Sequence, residues 1–212
     1  MKTPVISFAI IMALASAQSI ASTTEVTLTG TLTPSACTPL LSNGGVIDYG
    51  RLSIDDLESL PIPQYQLPNK LIDLTIQCEA PTTFALINSD NRKESLPPAE
   101  ASNPSRFGLG KHQGEPVGYM LIKAPTALVD GTRQSAIASR NGGQDWIRDD
   151  GFFWRAQDNP DSRLAFGAVA TGPTSAKQLT TTLQINGRIQ KALDYSSDVQ
   201  IDGSTTFEIR YL

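Results

Sequence analysis

The sequence predicts an all-β sandwich, and three of its features support that class. Short segments in which apolar and polar residues alternate recur along the chain, as in strands that bury one face. Turn signals that contain glycine, proline or asparagine separate these segments. Long helical periodicity is absent from the sequence. Because many short strands joined by turns are typical of a β-sandwich, we expect one such domain over residues 18–212.

The first residues have the pattern of a secretory signal peptide. Lys2 supplies a positive charge, and residues 5–15 form an apolar run that is too short to span a bilayer. Small residues then allow cleavage after Ala17 or after Ala21. We therefore predict that residues 1–17 are a signal peptide and that the mature protein is exported without a transmembrane segment.

The net charge argues against nucleic-acid binding. It is -4 for the whole sequence, and loss of residues 1–17 removes one lysine and no acid, which gives -5. A mildly acidic chain without a basic run is not typical of proteins that bind nucleic acid or anionic membranes. We therefore expect no nucleic acid among the partners.

The clearest predicted strand covers residues 24–33. Its apolar face carries Val26, Leu28, Gly30 and Leu32, and threonines form most of the other face. Further strands are predicted over residues 46–50, 71–78, 83–87, 117–123, 164–170 and 179–185.

Three local signals add detail to this strand pattern. Asn186-Gly187 predicts a two-residue hairpin after residues 179–185. Ser53 predicts a capped helical turn within residues 53–60. We also expect residues 83–87 to pair with residues 71–78, because only a short corner separates them.

The last predicted strand needs a neighbour. Phe207, Ile209 and Tyr211 share its apolar face and alternate with polar residues. A strand at the edge of a sheet exposes unpaired backbone groups, which can pair with another chain. We therefore expect a strand from this chain or from a second chain to cover it.

Cys37 and Cys78 are the only two cysteines. An even pair in an exported protein predicts a disulfide. The bond would close a loop of about 40 residues and stabilise the fold by roughly 4 kcal/mol. A catalytic thiol would need a partner base, and the only histidine is His112.

The other patterns for catalysis or metal binding are weak. Residues 108–111 lack the spacing of a phosphate-binding loop, and the chain has no Gly-x-Ser-x-Gly motif. Asp145, Asp149 and Asp150 carry oxygen ligands that suit calcium, but Asp149-Asp150-Gly151 also fits a simple turn. We expect a protein that is not an enzyme and holds no cofactor or metal.

An aromatic group leaves two interpretations open. Trp146, Phe152, Phe153 and Trp154 lie close together in the sequence. They form either part of the core or an exposed patch that binds a sugar or a host surface, since aromatic rings stack on apolar faces.

Taken together, these features resemble the pilus subunits that a chaperone and an usher assemble at bacterial outer membranes. The resemblance rests on the signal peptide, the alternating first strand before Cys37, the strand that ends in Cys78 and the penultimate Tyr211. The chain looks most similar to a fimbrial-associated periplasmic family of unknown function. The motifs that carry this likeness are Ile47-Asp48-Tyr49-Gly50, Asp90-Asn91-Arg92, Phe107-Gly108-Leu109-Gly110, Gly118-Tyr119 and the ending from Asp202-Gly203 to Tyr211-Leu212.

The resemblance implies an immunoglobulin-like, pilin-like sandwich that lacks its last strand. A periplasmic chaperone would lend that strand first, and the next fimbrial subunit would then replace it by donor-strand exchange. Phe207, Ile209, Tyr211 and Leu212 would line the groove or anchor the chaperone. The implied partners are the chaperone, the usher, neighbouring subunits and a host glycan or receptor, in the periplasm and then at the cell surface.

Two departures from the pilus pattern leave the role of the N-terminal region open. Gly203 lies closer to Tyr211 than the corresponding glycine of ordinary pilus subunits. If residues 24–33 form the first strand of the fold, residues 18–23 reach at most about 20 Å and are too short to serve as a donor, so the chain would be a tip or minor fimbrial subunit used in adhesion, or would stay outside the fibre. Otherwise residues 24–33 are themselves the donor strand. The alternative function is a self-complete, soluble periplasmic binding or regulatory protein of the same fold.

Overall fold

The computed structural model describes residues 28–29 and 36–212. The chain divides into two units, residues 1–33 and 34–212, and the fold described here is that of the second unit. The predicted signal peptide lies outside the described residues, as does the predicted strand over residues 24–33 except for Leu28 and Thr29.

The structure is an all-β sandwich with three short 3-10 turns, at Ser42–Gly45, Ile54–Asp56 and Lys93–Ser95. The strands are β1 (Cys37–Leu41), β2 (Glu58–Ser59), β3 (Gln64–Gln66), β4 (Lys70–Thr82), β5 (Phe84–Asp90), β6 (Phe107–Gly108), β7 (Lys111–His112), β8 (Glu115–Pro116), β9 (Gly118–Lys123), β10 (Thr126–Val129), β11 (Thr132–Ser139), β12 (Ile147–Arg148), β13 (Arg163–Ala168), β14 (Gly172–Pro173), β15 (Ala176–Gln190) and β16 (Thr205–Tyr211). The predicted fold class is confirmed.

Eight strands follow one another across the main sheet in the order β1-β4-β15-β10-β11-β13-β5-β16. Every neighbouring pair in this order is antiparallel. The two end strands, β1 and β16, therefore run in opposite directions. The sheet curls so that these ends meet: the Cys37 amide donates a hydrogen bond to the Tyr211 hydroxyl at 2.9 Å.

The core lies between the inward faces of the curled sheet. Alternate residues of β4 and β15 are buried, as the period-two pattern predicts. Phe153 meets Phe207 of β16 edge to face, with ring centroids 5.1 Å apart. The predicted disulfide is confirmed: Cys37 and Cys78 are bonded and are direct partners in the β1–β4 ladder.

Several other local predictions are confirmed. The strand predicted over residues 71–78 is part of β4, and the one over residues 117–123 corresponds to β9. The Ser53 hydroxyl accepts a hydrogen bond from the Asp55 amide and caps the short turn that follows. The terminal strand is present as β16.

The predicted pairing of residues 83–87 with residues 71–78 is wrong. β4 already pairs with β1 on one side and with β15 on the other. The chain therefore crosses the core after β4, and β5 pairs with β13 and β16 instead. A strand with both edges occupied cannot accept a third partner.

The predicted hairpin at Asn186-Gly187 is also wrong, because β15 continues through both residues. Gly187 meets a different need: a Cβ atom there would lie 2.6 Å from Cδ1 of Leu67, which packs against this point of the strand. Close approach of a neighbouring side chain is one of the uses of glycine inside a strand.

Two strands, β10 and β11, were missed where the sequence pattern is weak. Their inward positions are mostly small, with Ala127, Ala136 and Ala138 all in the core. Alanine contributes little apolar contrast to a period-two pattern, so these strands lack a clear sequence signal. Both lie between β15 and β13, away from the meeting edges of β1 and β16.

Residues 46–50, predicted as a strand, form none in the structure. They pass alongside the gap between β1 and β16 without pairing to the sheet.

Candidate strand-accepting groove

A groove of about 800 Å³ opens between the end of β1 and the start of β16, and we name it the seam groove. Its floor consists of core side chains that are at least nine-tenths buried, namely Ile72, Ile122, Leu183 and Ile185. One wall contains Leu41, Gly45 and residues 47–52, and the other contains residues 197–201 and 203–205 with Phe207. The groove thus lies over one side of the apolar core, between two edge segments.

The groove exists because β1 is shorter than its neighbour. The β1–β4 ladder ends at the pair Leu41–Leu74. Asn43 and Gly44 then adopt left-handed conformations, with φ of 52° and 62°, and turn the chain away from β4. Among the strands of residues 36–212, none pairs with the first residues of β4 on the groove side.

The opposite end of the gap between β1 and β16 is closed. The hydrogen bond from the Cys37 amide to the Tyr211 hydroxyl lies there, next to the disulfide. The Leu212 amide donates to the Thr83 carbonyl at 3.1 Å, which fixes the end of β16. The gap is therefore clasped at one end and open at the other.

The structure places the four predicted groove residues along this gap. Phe207 and Ile209 are partly buried and pack against the main core. Tyr211 and Leu212 sit at the clasped end and are 46% and 51% exposed. Only Phe207 lines the seam groove itself.

A hydrogen-bonded anchor holds the chain just before β16. Arg92 donates from Nε and Nη2 to the Asp202 carboxylate, at 2.8 and 3.0 Å. The buried Asp90 carboxylate accepts the backbone amides of Arg92 and Gly108, at 2.8 and 2.9 Å. The Asp202 amide donates to the Leu109 carbonyl at 3.0 Å. The motifs that contain Arg92, Gly108 and Asp202 are far apart in the sequence, and these hydrogen bonds join them beside one wall of the groove.

This anchor was not assigned from the sequence, although its motifs were noted there. Their shared role depends on contacts across the fold. A Cβ atom at Gly108, for example, would lie 2.2 Å from the Arg92 carbonyl oxygen, so only glycine fits. Burial raises the pKa of Asp90, and the two amide hydrogen bonds oppose that shift.

Acid should loosen this anchor. The hydrogen bond from Arg92 lowers the pKa of Asp202 below its usual value. The stabilisation is therefore complete above the unfolded pKa of about 4 and is lost as the pH falls through the lower folded value. We expect Asp202→Asn to speed amide exchange at the start of β16 at pH 7. At a pH below the folded pKa of Asp202, the variant and the parent protein should exchange at the same rate.

The control for this prediction is Asp198→Asn. Asp198 pairs loosely with Arg51, at 3.7 Å, and both side chains are largely exposed. The Asp198→Asn variant should therefore show unchanged amide exchange in β16 at every pH. Equal exchange of the Asp202→Asn variant and the parent protein at pH 7 would contradict the anchoring role.

The four aromatic side chains of the predicted ligand patch do not gather on one exposed surface. Phe153 is 1% exposed and lies in the core. The other three have separate partners: Trp146 packs beside Ala85, Ile137 and Ala165, Phe152 lies 5.0 Å from the Lys123 ammonium, and Trp154 stacks on the Arg140 guanidinium.

Of the polar residues weighed for metal or catalytic roles, Asp149 has clear structural contacts. Asp149 accepts hydrogen bonds from the amides of Gly151 and Phe152, as expected for a turn. His112 lies in the small β7–β8 hairpin, and its Nε2 is buried without a hydrogen-bond partner. In the described part of the chain, no helix is long and apolar enough to cross a membrane.

Comparisons with known proteins show similarity to a family described as "Protein of unknown function (DUF1120)", whose model matches residues 26–123. Two Escherichia coli K12 proteins are similar over most of their length. Protein GltF is 28% identical, over 89% of this chain and 88% of that protein. The uncharacterized protein YhcF is 26% identical, over 86% of this chain and 87% of that protein. Neither the family description nor these names state an activity.

Proposed function

We propose that the protein is a non-enzymatic, fimbrial-subunit-like protein whose seam groove accepts a strand from another chain. The observation that carries this proposal is the pair of sheet edges, β1 and β16, which no other strand of residues 36–212 covers and which flank a groove with an apolar floor. Strand addition to such edges combines main-chain hydrogen bonds with pockets for alternate side chains.

The groove matches the chemistry of a single added strand. Its floor offers apolar side chains from both β4 and β15, and its walls offer unpaired backbone. Each apolar side chain that a new strand buries there contributes roughly 1.5–3 kcal/mol, before the cost of ordering the strand. Because β1 and β16 run in opposite directions, the added strand is parallel to one and antiparallel to the other.

The occupant that the sequence itself supplies is the segment of residues 24–33 from a second copy of the chain. Val26, Leu28, Gly30 and Leu32 lie on one face of this segment, as a donor strand requires. Ten extended residues span about 33 Å, which exceeds the length of the seven-residue β16. In the described fold, the place beside β4 is taken by β1.

Donation within one molecule is disfavoured by the clasp. Only residues 34–36 separate the segment from β1, so it would have to form a tight hairpin antiparallel to β1. That hairpin would enter from the Cys37 end. The Tyr211 hydroxyl already bonds the Cys37 amide at that end.

The proposal includes the setting that the sequence suggests. The chain is exported to the periplasm, where a pilus chaperone covers the groove before a neighbouring subunit does, and an usher passes it to the cell surface. Adhesion is the proposed role of the assembled fibre.

A second candidate is a soluble periplasmic binding protein, and the size of the groove favours it. Pockets for small molecules commonly enclose about 300–1,000 Å³, a range that includes this groove. A self-complete fold, however, would need a strand of the same chain to cover β16. The additional strands β10 and β11 lie elsewhere in the sheet and leave the edge of β16 uncovered.

A direct test measures binding of a labelled peptide with the sequence of residues 24–33 to the purified mature protein. Leu41→Asp places a carboxylate on the groove wall, at a partly buried site beside the core, and circular dichroism checks that the variant is folded. We expect peptide affinity to fall by at least about 30-fold, since burial of the charge is unfavourable. The matched control is Leu40→Asp, because Leu40 points away from the groove and is 67% exposed.

Equal binding to both variants would overturn the groove as the peptide site. A parent protein that stays a folded monomer, binds no peptide and ignores a co-expressed pilus chaperone would favour the second candidate. Formation of a one-to-one complex with the chaperone, sensitive to Leu41→Asp and not to Leu40→Asp, would support the fimbrial assignment.

A further inference from the structure

We propose that residues 46–50 form a movable edge strand, which pairs with the strand that enters the seam groove. This inference rests on the proposed function and adds a partner for the entering strand beyond Leu41, where β1 ends. On one side the entering strand meets β16, and on the other side it meets residues 46–50, which we name the strap.

The side chains of the strap already alternate as in a strand. Val46, Asp48 and Gly50 are exposed, whereas Ile47 and Tyr49 point inward and are partly buried. Ile47 packs against the main core, and Tyr49 packs against a second cluster around Leu67, Leu109, Val117, Ile189 and Leu193. The alternation that predicted a strand from the sequence is therefore present in the structure without the strand.

The backbone of the strap is unpaired within the described chain. The Val46 amide bonds to the Asn43 carbonyl, and the Gly50 amide bonds to the Asp48 side chain. Ile47, Asp48 and Tyr49 make no backbone hydrogen bond to any residue of 36–212. The strap therefore has free backbone groups at Ile47, Asp48 and Tyr49, which are available for strand pairing, and it ends at Gly50, whose φ is 61°.

The position of the strap brings these free groups to the groove. Gly45 and residues 47–52 form part of one wall of the seam groove, and residues 203–205 with Phe207 belong to the facing wall. The Lys70 ammonium at the start of β4 lies 5.2 Å from the centroid of the Tyr49 ring, so the strap runs beside the unpaired end of β4. A strand in the groove therefore lies between β16 and the strap.

The turn that precedes the strap allows it to move. Asn43, Gly44 and Gly45 all have positive φ. A Cβ atom at Gly44 would meet nothing within 4 Å, so this point of the chain is not held by packing. A change of conformation at these residues, which follow the Ser42 hydroxyl that accepts the Asp73 amide of β4, would shift the strap without disturbing β1.

The Tyr49 hydroxyl gives a second, independent indication of an absent partner. It lies within the groove lining, and its oxygen is buried without a hydrogen bond. Burial also raises the pKa of Tyr49, so the phenol stays protonated and is a hydrogen-bond donor. Buried polar groups normally have partners, and a backbone carbonyl of the entering strand supplies one.

Amide hydrogen exchange of the mature protein, with and without saturating peptide of residues 24–33, tests this inference. In the free protein we expect the amides of Ile47, Asp48 and Tyr49 to exchange at close to unprotected rates. With peptide bound, at least one of them should exchange slower by about 50-fold or more, because a ladder hydrogen bond forms. Tyr49→Phe should weaken the peptide by about 2- to 12-fold, as expected for one lost hydrogen bond.

The outcomes distinguish failure of the strap proposal from failure of the groove proposal. If the peptide binds and protects β16 but leaves the amides of residues 47–49 unprotected, the proposed pairing of the strap is wrong and the groove proposal stands. Protection of these amides in the free protein would also overturn it, since the strap would then be paired already. Absence of peptide binding would overturn both the strap and the proposed function.

Discussion

Removal of the disulfide by the double substitution Cys37→Ser and Cys78→Ser is expected to lower the free energy of unfolding by about 4 kcal/mol. The bond closes a loop with a sequence separation of 41 residues, and the cost follows from the freedom that the unfolded chain regains. Denaturant unfolding, monitored by circular dichroism, measures the loss. Replacement of both cysteines avoids a free thiol.

The same double substitution should also loosen the clasped end of the gap between β1 and β16. Cys37 begins β1, and its amide bonds to Tyr211 at the clasped end of the gap. The matched control is Tyr211→Phe, which removes the hydroxyl and keeps the disulfide and the ring. We expect it to cost no more than about 1.5 kcal/mol. If the double cysteine variant were no less stable than Tyr211→Phe, the disulfide would not be a main stabilising link.

Arg155→Ala is expected to lower the free energy of unfolding by about 3–5 kcal/mol. The Arg155 side chain is fully buried and pairs with Asp158. Its guanidinium also donates to the carbonyls of Arg106 and Ala101. Truncation leaves the two carbonyls without this donor and the Asp158 carboxylate with Lys93 as its remaining partner, and it empties a fully buried site, so the loss is large.

Arg210→Ala is the matched control for Arg155. Arg210 pairs with Glu208 on the outer face of β16, and both side chains are about half exposed. Surface pairs of this kind contribute little, so we expect a change within about 0.5 kcal/mol. Thermal and denaturant unfolding of both variants should separate them clearly. Similar losses for the two arginines would contradict the structural role of Arg155.

The sequence predicted the strands that carry strong alternation. Residues 71–78 and the last strand combine large apolar side chains with polar neighbours, so their period is visible locally. The alanine-rich strands β10 and β11 were missed because their buried side chains are small. At Gly187 the glycine suggested a turn, but its actual role is to admit Leu67.

The candidate site was predicted in part. The sequence placed Phe207 and Ile209 on the inward face of the last strand, and the structure leaves both partly buried beside the gap. It gave no sign of the Arg92–Asp202 anchor, whose two residues are 110 positions apart. It also suggested a paired strand at residues 46–50, whereas the structure shows the alternation without the pairing.

The sequence by itself determined the all-β class, the inward face of each strongly alternating strand and the pairing of the two cysteines. These depend on local periodicity and on a simple count, and both are present in the linear chain. Only the tertiary structure decided the strand order, the place where β1 ends and the gap that remains between β1 and β16. Strand order depends on which edges are already occupied, and an edge becomes occupied only through contacts between residues that are distant in the sequence.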